Sequence, residues 1–385
     1  MKKIMILGLS ACALFATNGD SLIGLGAKSR AMGGVGIATF FGAENVLSNP
    51  ALISKSKGVE VDFGATVFMP DVSANDKSSS ADLNIIPEVS LSQEINDYCS
   101  FGIGMFGSAG MGVDYRGSGD PSLMEARTNL LLMKFAPSLT YKRDNFAFGL
   151  APVVQYGSLD ISYNNGSPVG SGSSDDFGIG FEAGISYDIN ENITLGVVYK
   201  SKIAMEYKNT LSTASAPFVT NHIFSNTFAD DLEQPSEYGV GISYNFLDNF
   251  NISFDYKKIK WGSAKGYKDF GWRDQNVYAL GAKYEKNGTW YAIGYNYAKN
   301  PITLYSGTTS AEQALNMFNY LMFPATSETH FSLGAGTNLT KNLSIDFDLL
   351  YSPSNTINAT VMGGANLKVE HSETSVAFSM RYNFK

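Results

Sequence analysis

Charge is scarce in this chain of 385 residues. Asp, Glu, Lys and Arg together make up 17% of it, against about 25% in a typical soluble domain. The formal net charge of −8 leaves no basic surplus to clamp phosphates, which excludes a nucleic-acid partner. Long apolar runs are missing as well. Beyond the first residues no stretch approaches the roughly 18 consecutive apolar side chains that a helix needs to cross hydrocarbon. Two cysteines are too few for a disulfide framework. The three histidines, His222, His330 and His371, stand in no H-E-x-x-H pattern, and no G-x-S-x-G elbow occurs, so the common zinc-protease and serine-hydrolase signatures are absent. No enzymatic activity, metal or cofactor is expected.

What is present favours strands. Gly 39, Tyr 21 and Phe 25 suit a pleated surface and disfavour helix interiors. From residue 58 onward apolar and small or polar residues alternate with period two. Val59, Val61, Phe63, Ala65, Val67 and Met69 share one face, as do Phe146, Phe148, Leu150, Pro152, Val154 and Tyr156. Phe177, Ile179, Phe181, Ile185 and Tyr187 repeat the pattern, and so do Leu343, Ile345, Phe347 and Leu349. The opposite faces are Gly, Ser, Ala and Asn rather than the charged surface of a soluble sandwich. Short turns are expected at Asn96-Asp97, Arg143-Asp144-Asn145, Asn190-Glu191-Asn192, Asp248-Asn249, Lys286-Asn287-Gly288 and Lys341-Asn342. Between them lie longer polar segments near 71–83, 108–127, 159–175, 206–235, 261–274, 299–327 and 353–371. Alternating tight turns and long loops predict an all-β, transmembrane antiparallel β-barrel of about 14 strands over residues 58–385, with lipid outside and a filled or wet lumen inside.

The ends fit that reading. Met1-Lys2-Lys3 and the apolar run Ile4 to Phe15 read as a signal peptide over residues 1–16, placing the chain in the cell outer membrane of a Gram-negative type. Leu9-Ser10-Ala11-Cys12 also resembles a lipobox, which would make Cys12 a lipidated N-terminus. The final strand ends on Val376, Phe378, Met380, Tyr382 and Phe384 at alternate positions. It resembles the terminal signal read by the barrel-assembly machinery, with Lys385 as a departure.

Residues 17–57 show no strand alternation. They are apolar, small and nearly uncharged, unlike a disordered leader, and are expected to fold inside the lumen as a plug. Gly24-Leu25-Gly26, Ala31-Met32-Gly33-Gly34, Ala43-Glu44-Asn45 and above all Asn49-Pro50-Ala51-Leu52 resemble the hatch of the FadL/TodX family of outer-membrane transporters of long-chain fatty acids and hydrocarbons. The resemblance implies a barrel of 14 strands closed by an N-terminal hatch, with Asn49, Pro50 and Ala51 as its motif and Gly33, Gly34 and Gly36 as its flexible points. It also implies loop capture of a hydrophobic small-molecule ligand, passive transport, and sideways exit where the third strand kinks.

Three groups of residues are candidates for the path. Ser310-Ala311-Glu312-Gln313 has a capping-box pattern, and Leu315, Phe318, Leu321 and Met322 follow at helical spacing before Pro324, giving a short helix as a ligand groove or a roof on the barrel. Gly102, Gly104 and Gly107 in the third strand mark a bend or lateral opening. Lys134, Lys200, Lys283 and Arg381 face inward by alternation and could meet a carboxylate head group. Lys257, Lys258 and Lys260 beside Trp261 are placed at the aromatic girdle, where lipopolysaccharide phosphates lie. Lipid, lipopolysaccharide and the assembly machinery are the expected partners, and the protein is expected to be a monomer. A diffusion porin is the alternative; a hydrolase built on a lone histidine is a weaker one.

Overall fold

A computed structural model of the chain describes residues 17–384. The expected signal segment, Cys12 and Lys385 lie outside the described residues. Fourteen antiparallel strands form the wall: β1 (Val59–Ala74), β2 (Asn84–Glu94), β3 (Cys99–Asp114), β4 (Arg127–Arg143), β5 (Phe146–Asn164), β6 (Ser174–Asp188) and β7 (Ile193–Lys200), then β8 (Glu237–Phe246), β9 (Phe250–Ile259), β10 (Gln275–Lys286), β11 (Thr289–Ala298), β12 (Thr329–Asn338), β13 (Leu343–Val361) and β14 (Ala365–Phe384). Each pairs with the next, and β14 pairs back on β1 from Val369↔Ala74 to Phe384↔Val59, closing the ring. Closure removes every sheet edge, the condition for backbone to sit in hydrocarbon without orphaned N–H and C=O groups.

The alternation has its expected physical result. Phe177 and Ile179 are 69% and 77% exposed, and Phe148, Tyr291, Phe347 and Phe378 are exposed likewise, whereas Thr66, Gln155, Glu182, Asp255 and Arg381 on the opposite faces are buried. An apolar exterior over a polar interior is inverted relative to a soluble protein and fits lipid outside. Near the tight turns, Tyr244, Phe246, Phe250 and Tyr284 stack in succession as part of an aromatic girdle.

All six predicted turns are present, as connections 95–98, 144–145, 189–192, 247–249, 287–288 and 339–342. Asn287-Gly288 has positive φ at both residues, the geometry that a two-residue hairpin turn requires. The longer connections fall at the other end. Several strands run further than alternation predicts: β1 to Ala74, β3 to Asp114 and β5 to Asn164. The expected loop 353–371 is a strand ladder closed by a three-residue turn, Met362–Gly364, with a register shift between Ser352 and Asn355. Above the lipid edge both strand faces meet water or other loops, so the ladder persists after the apolar alternation that betrays it has faded.

Residues 17–57 lie within the ring. A two-residue ladder, Thr17–Asn18 against Ser21–Leu22, leads into helix α1 (Ala27–Ala31) and two 3-10 turns, Ala43–Leu47 and Pro50–Lys55. Their partners come from all round the wall: Gly26 N–H donates to Glu88 on β2 at 3.0 Å, Thr140 Oγ1 on β4 to the Pro50 carbonyl at 2.7 Å, and Ser332 Oγ on β12 to the Ala31 carbonyl at 3.0 Å. Gly36 and Ile37 N–H both reach one oxygen of Asp255 on β9, at 2.7 and 2.9 Å.

Candidate functional site

The site starts from the Asn-Pro-Ala step. Asn49 is fully buried and caps the turn behind it, its Oδ1 accepting from Ala51 N–H at 3.0 Å, while Pro50 occupies the first position of the turn, where no N–H is missed. The Asn49 amide donates to the Ile37 carbonyl at 2.6 Å and to the Ile185 carbonyl on β6 at 3.1 Å. One side chain thus closes the inner segment on itself and ties it to the wall. Gly33 and Gly34 have φ of 71° and 85°. A Cβ on Gly33 would lie 2.6 Å from the Tyr295 carbonyl oxygen, so only glycine brings this chain against β11. The Gly33 carbonyl accepts from Asn296 at 2.9 Å and its N–H donates to Ser332 at 3.1 Å. These glycines are therefore contact points with the wall.

The third strand departs from regular pairing. Phe106 is opposite Glu88, and toward the turn β3 pairs with β2 down to Ser100↔Glu94. Beyond Phe106 the β2 residues Asn84–Pro87 pair with β1 alone, while β3 continues beside β4 through a register shift between Gly107 and Ala109. Ser108 is the bulged residue. Of the three predicted glycines, Gly107 adjoins the bulge. Gly104 lies below it and makes room for the ring of Phe106, which a Cβ there would meet at 2.2 Å, and Gly102 faces Val46 of the inner segment. Ile23 packs on Phe68, Ile86 and Leu350 inside this opening, with Leu22, Ala81 and Leu131 at its margin.

Beside the inner segment lies a cavity of about 970 Å3, including its mouth, whose lining includes Leu22, Ile37, Phe181, Ile203, Ser108 and Gln234. The predicted cations divide here. Lys134 and Lys200 line the cavity. Lys283 pairs with Glu285 at 2.7 Å, and Arg381 with Asp62 at 2.8 Å and Glu60 at 3.4 Å. Lys200 sits in cross-strand register between Glu182 and Glu237, 3.9 and 3.6 Å from their oxygens, and donates to the Leu47 carbonyl at 2.9 Å. Lys134 has no carboxylate within 4 Å among the described residues. Lys257 also lines the cavity, a correction to its expected place at the girdle. It shares the inward parity of buried Asp255, a signal available in the alternation. Trp261 is likewise fully buried among the loops, and Lys260 pairs with Asp274.

Over the open end of the ring the loops form their own core. The predicted helix is present as α3 (Ser310–Met317), capped by Thr309 rather than Ser310, with Glu312 N–H donating to Thr309 Oγ1 at 3.3 Å and its carboxylate accepting from Thr308 N–H at 3.0 Å. Phe318, Leu321 and Met322 follow in a π turn and are fully buried; Leu315 is half-buried. They form a roof. Phe318 packs on Phe228, Phe270 and Phe323 with ring centroids 5.0–5.7 Å apart. Phe228 continues through Phe224 to Phe218 of a further helix, α2 (Thr210–Thr220), which alternation did not anticipate. Ile223, Phe224 and Phe228 stay half-buried at its margin. His330 and His371 flank Glu373 at 3.0 and 3.2 Å, and His222 is exposed.

Comparisons with known proteins agree with this architecture. The 47 kDa outer membrane protein of Pasteurella multocida is 23% identical over 384 residues, spanning 89% of this chain and 87% of that protein. The long-chain fatty acid transport protein of Escherichia coli is 25% identical over 352 residues, spanning 75% and 78%. The crystal structure of the toluene transporter TodX of Pseudomonas putida superimposes with a TM-score of 0.71 over 96% of this chain and 100% of that one, at 19% identity. With a match over residues 6–385, the chain belongs to the outer membrane protein transport protein family (OMPP1/FadL/TodX) and is an outer-membrane β-barrel.

Proposed function

We propose that this barrel carries hydrophobic compounds passively from the cell exterior into the outer membrane, and that residues 17–57 are the plug that forces them through the wall. One observation supports the reading above others: β3 parts from β2 beyond Phe106, and the opening is filled by Leu22 and Ile23 of the inner segment rather than by backbone pairing. An apolar molecule gains on the order of 25 cal/mol per Å2 on leaving water. It needs no reaction, only a continuous apolar route past the polysaccharide. The half-buried Ile223, Phe224 and Phe228 offer a first contact, the cavity beside Lys134 a resting place, and the Leu22–Ile23 stopper an exit.

Lys134 decides between cargo classes. A relative is named for long-chain fatty acids and a structural neighbour for toluene. An uncompensated ammonium over an apolar cavity fits a carboxylate head group and does nothing for a hydrocarbon. The reading is tested with Lys134→Met in proteoliposomes. Flux of a long-chain fatty acid should fall by about tenfold, the worth of one charge-assisted hydrogen bond, with toluene flux unchanged. Equal effects on both would remove the head-group role. Deleting residues 17–57 should admit small hydrophilic solutes; an unaltered solute flux would favour a porin.

A further inference from the structure

The tip of the N-terminal hairpin is joined to two parts of the molecule at once. Its backbone meets the wall: Ser21 stands opposite Ala109 in antiparallel register, and Gly110 N–H donates to the Asp20 carbonyl at 3.0 Å. That is the edge of β3 left without β2. Its side chain meets the loops. The Asp20 carboxylate, with no exposed surface, accepts from the Tyr267 hydroxyl and from Gln234 Nε2 at 3.0 Å. Tyr267 is wedged between Trp261 and Trp272, its ring centroid 4.7 and 4.8 Å from theirs. Gly19 lies under the same pair. A Cβ there would come 2.8 Å from Trp261 and 3.1 Å from Trp272, at a φ of 73°, so the tip docks against the loop aromatics as closely as backbone can. Burial raises the Asp20 carboxyl above its usual range, and hydrogen bonds from Tyr267, Gln234 and Ser21 act in the opposite sense.

We propose that Asp20 is the positioning residue of a latch: its carboxylate hooks the N-terminal hairpin to the extracellular loops, and its carbonyl holds the hairpin on the free edge of β3, so the wall opening stays stoppered until the loops let go. The release signal is cargo. Gln234 and Ser21 line the cavity beside Lys134 as well as serving the latch, so a molecule filling that cavity competes with the Gln234–Asp20 hydrogen bond. Loop occupancy and wall opening are thereby coupled through one side chain. The proposal rests on the transport reading for its purpose, but its mechanics can be measured separately.

The test uses the full mature chain in a Cys99→Ser background. Asp20→Ala and Tyr267→Phe are compared with the parent by hydrogen exchange. Amides of 19–24 and 107–114 should exchange about tenfold faster in Asp20→Ala, reflecting the loss of a charge-assisted hydrogen bond from a local opening unit, with amides of β9–β12 unchanged. Unchanged exchange at 107–114 overturns the latch. A second variant, Ser21→Cys with Ala109→Cys, fixes the hairpin to β3 by a disulfide. Fatty acid flux in proteoliposomes should drop to the protein-free level when it is oxidised and return on reduction; undiminished flux in the oxidised form overturns the gating. Should the parent itself carry neither fatty acid nor toluene, the transport reading fails, and hydrogen exchange alone decides the latch.

Discussion

Asn49 shows how one residue can hold a segment without regular structure. Its amide serves two carbonyls from different elements and its oxygen caps a turn, so removal leaves buried carbonyls unpaired. Each such group costs about 1–3 kcal/mol. Asn49→Ala is therefore expected to let residues 17–57 come loose at a lower temperature while the barrel persists, visible as early protease cleavage of that segment before the heat-induced shift in gel mobility. Loss of both at the same temperature would show that plug and wall unfold as one unit. Gly184 gives the matching test from the wall. A Cβ there would come 1.9 Å from Asn49 Oδ1, so Gly184→Val should reproduce the Asn49→Ala pattern. The Asn49-Pro50-Ala51 step was readable in the sequence because its capping chemistry is local. Asp20 was not, because its partners lie 214 and 247 positions away, and no pattern on its own segment marks it.

At the level of elements, pairing and packing separate cleanly. Strand faces follow alternation because lipid and lumen impose period two over the whole span, and tight turns follow residue type because each is built from its own few residues. Both were legible. The bulge at Ser108 was legible only as an excess of glycine, since it depends on which neighbour β3 loses. Removing Ser108 should restore continuous register between Gly107↔Met133 and Ala109↔Leu132 and let β3 pair with β2 further along. Fatty acid uptake should then fall to background with an undisturbed barrel, measured by labelled uptake alongside heat-modifiable gel mobility; retained uptake would place the exit elsewhere. The roof was misjudged in a simple way: large apolar residues at helical spacing show that a face is covered but not by what. Phe318→Ser empties a fully buried site in the Phe228–Phe270–Phe323 cluster. With about 3–5 kcal/mol expected for deleting a buried aromatic ring, segment 299–328 should become protease-sensitive on intact cells while the strands remain protected. Resistance equal to the parent's would mean that the cluster does not hold the loop.

For the molecule as a whole, the low charge that opens the sequence has a spatial meaning. Ionised side chains are withdrawn from the lipid face and gathered in the lumen and loops. Arg30 with Asp348, Lys28 with Asp346 and Arg381 with Asp62 all join the lumen wall to itself or to the inner segment. Barrel and plug are one folding problem, which is why length alone suggested more domains than exist. The last hairpin carries a different consequence. Its strands have 19 and 20 residues, about twice the 9–11 that a tilted strand needs to cross the bilayer. At about 3.3 Å per residue the surplus stands roughly 30 Å clear of the lipid. Its tip, Gly363-Gly364, has nothing within 4 Å of either residue's Cβ position. A short peptide inserted there should be displayed on living cells and bound by antibody without loss of uptake, and the same mast would be the first part of this protein met by an immune receptor or a phage.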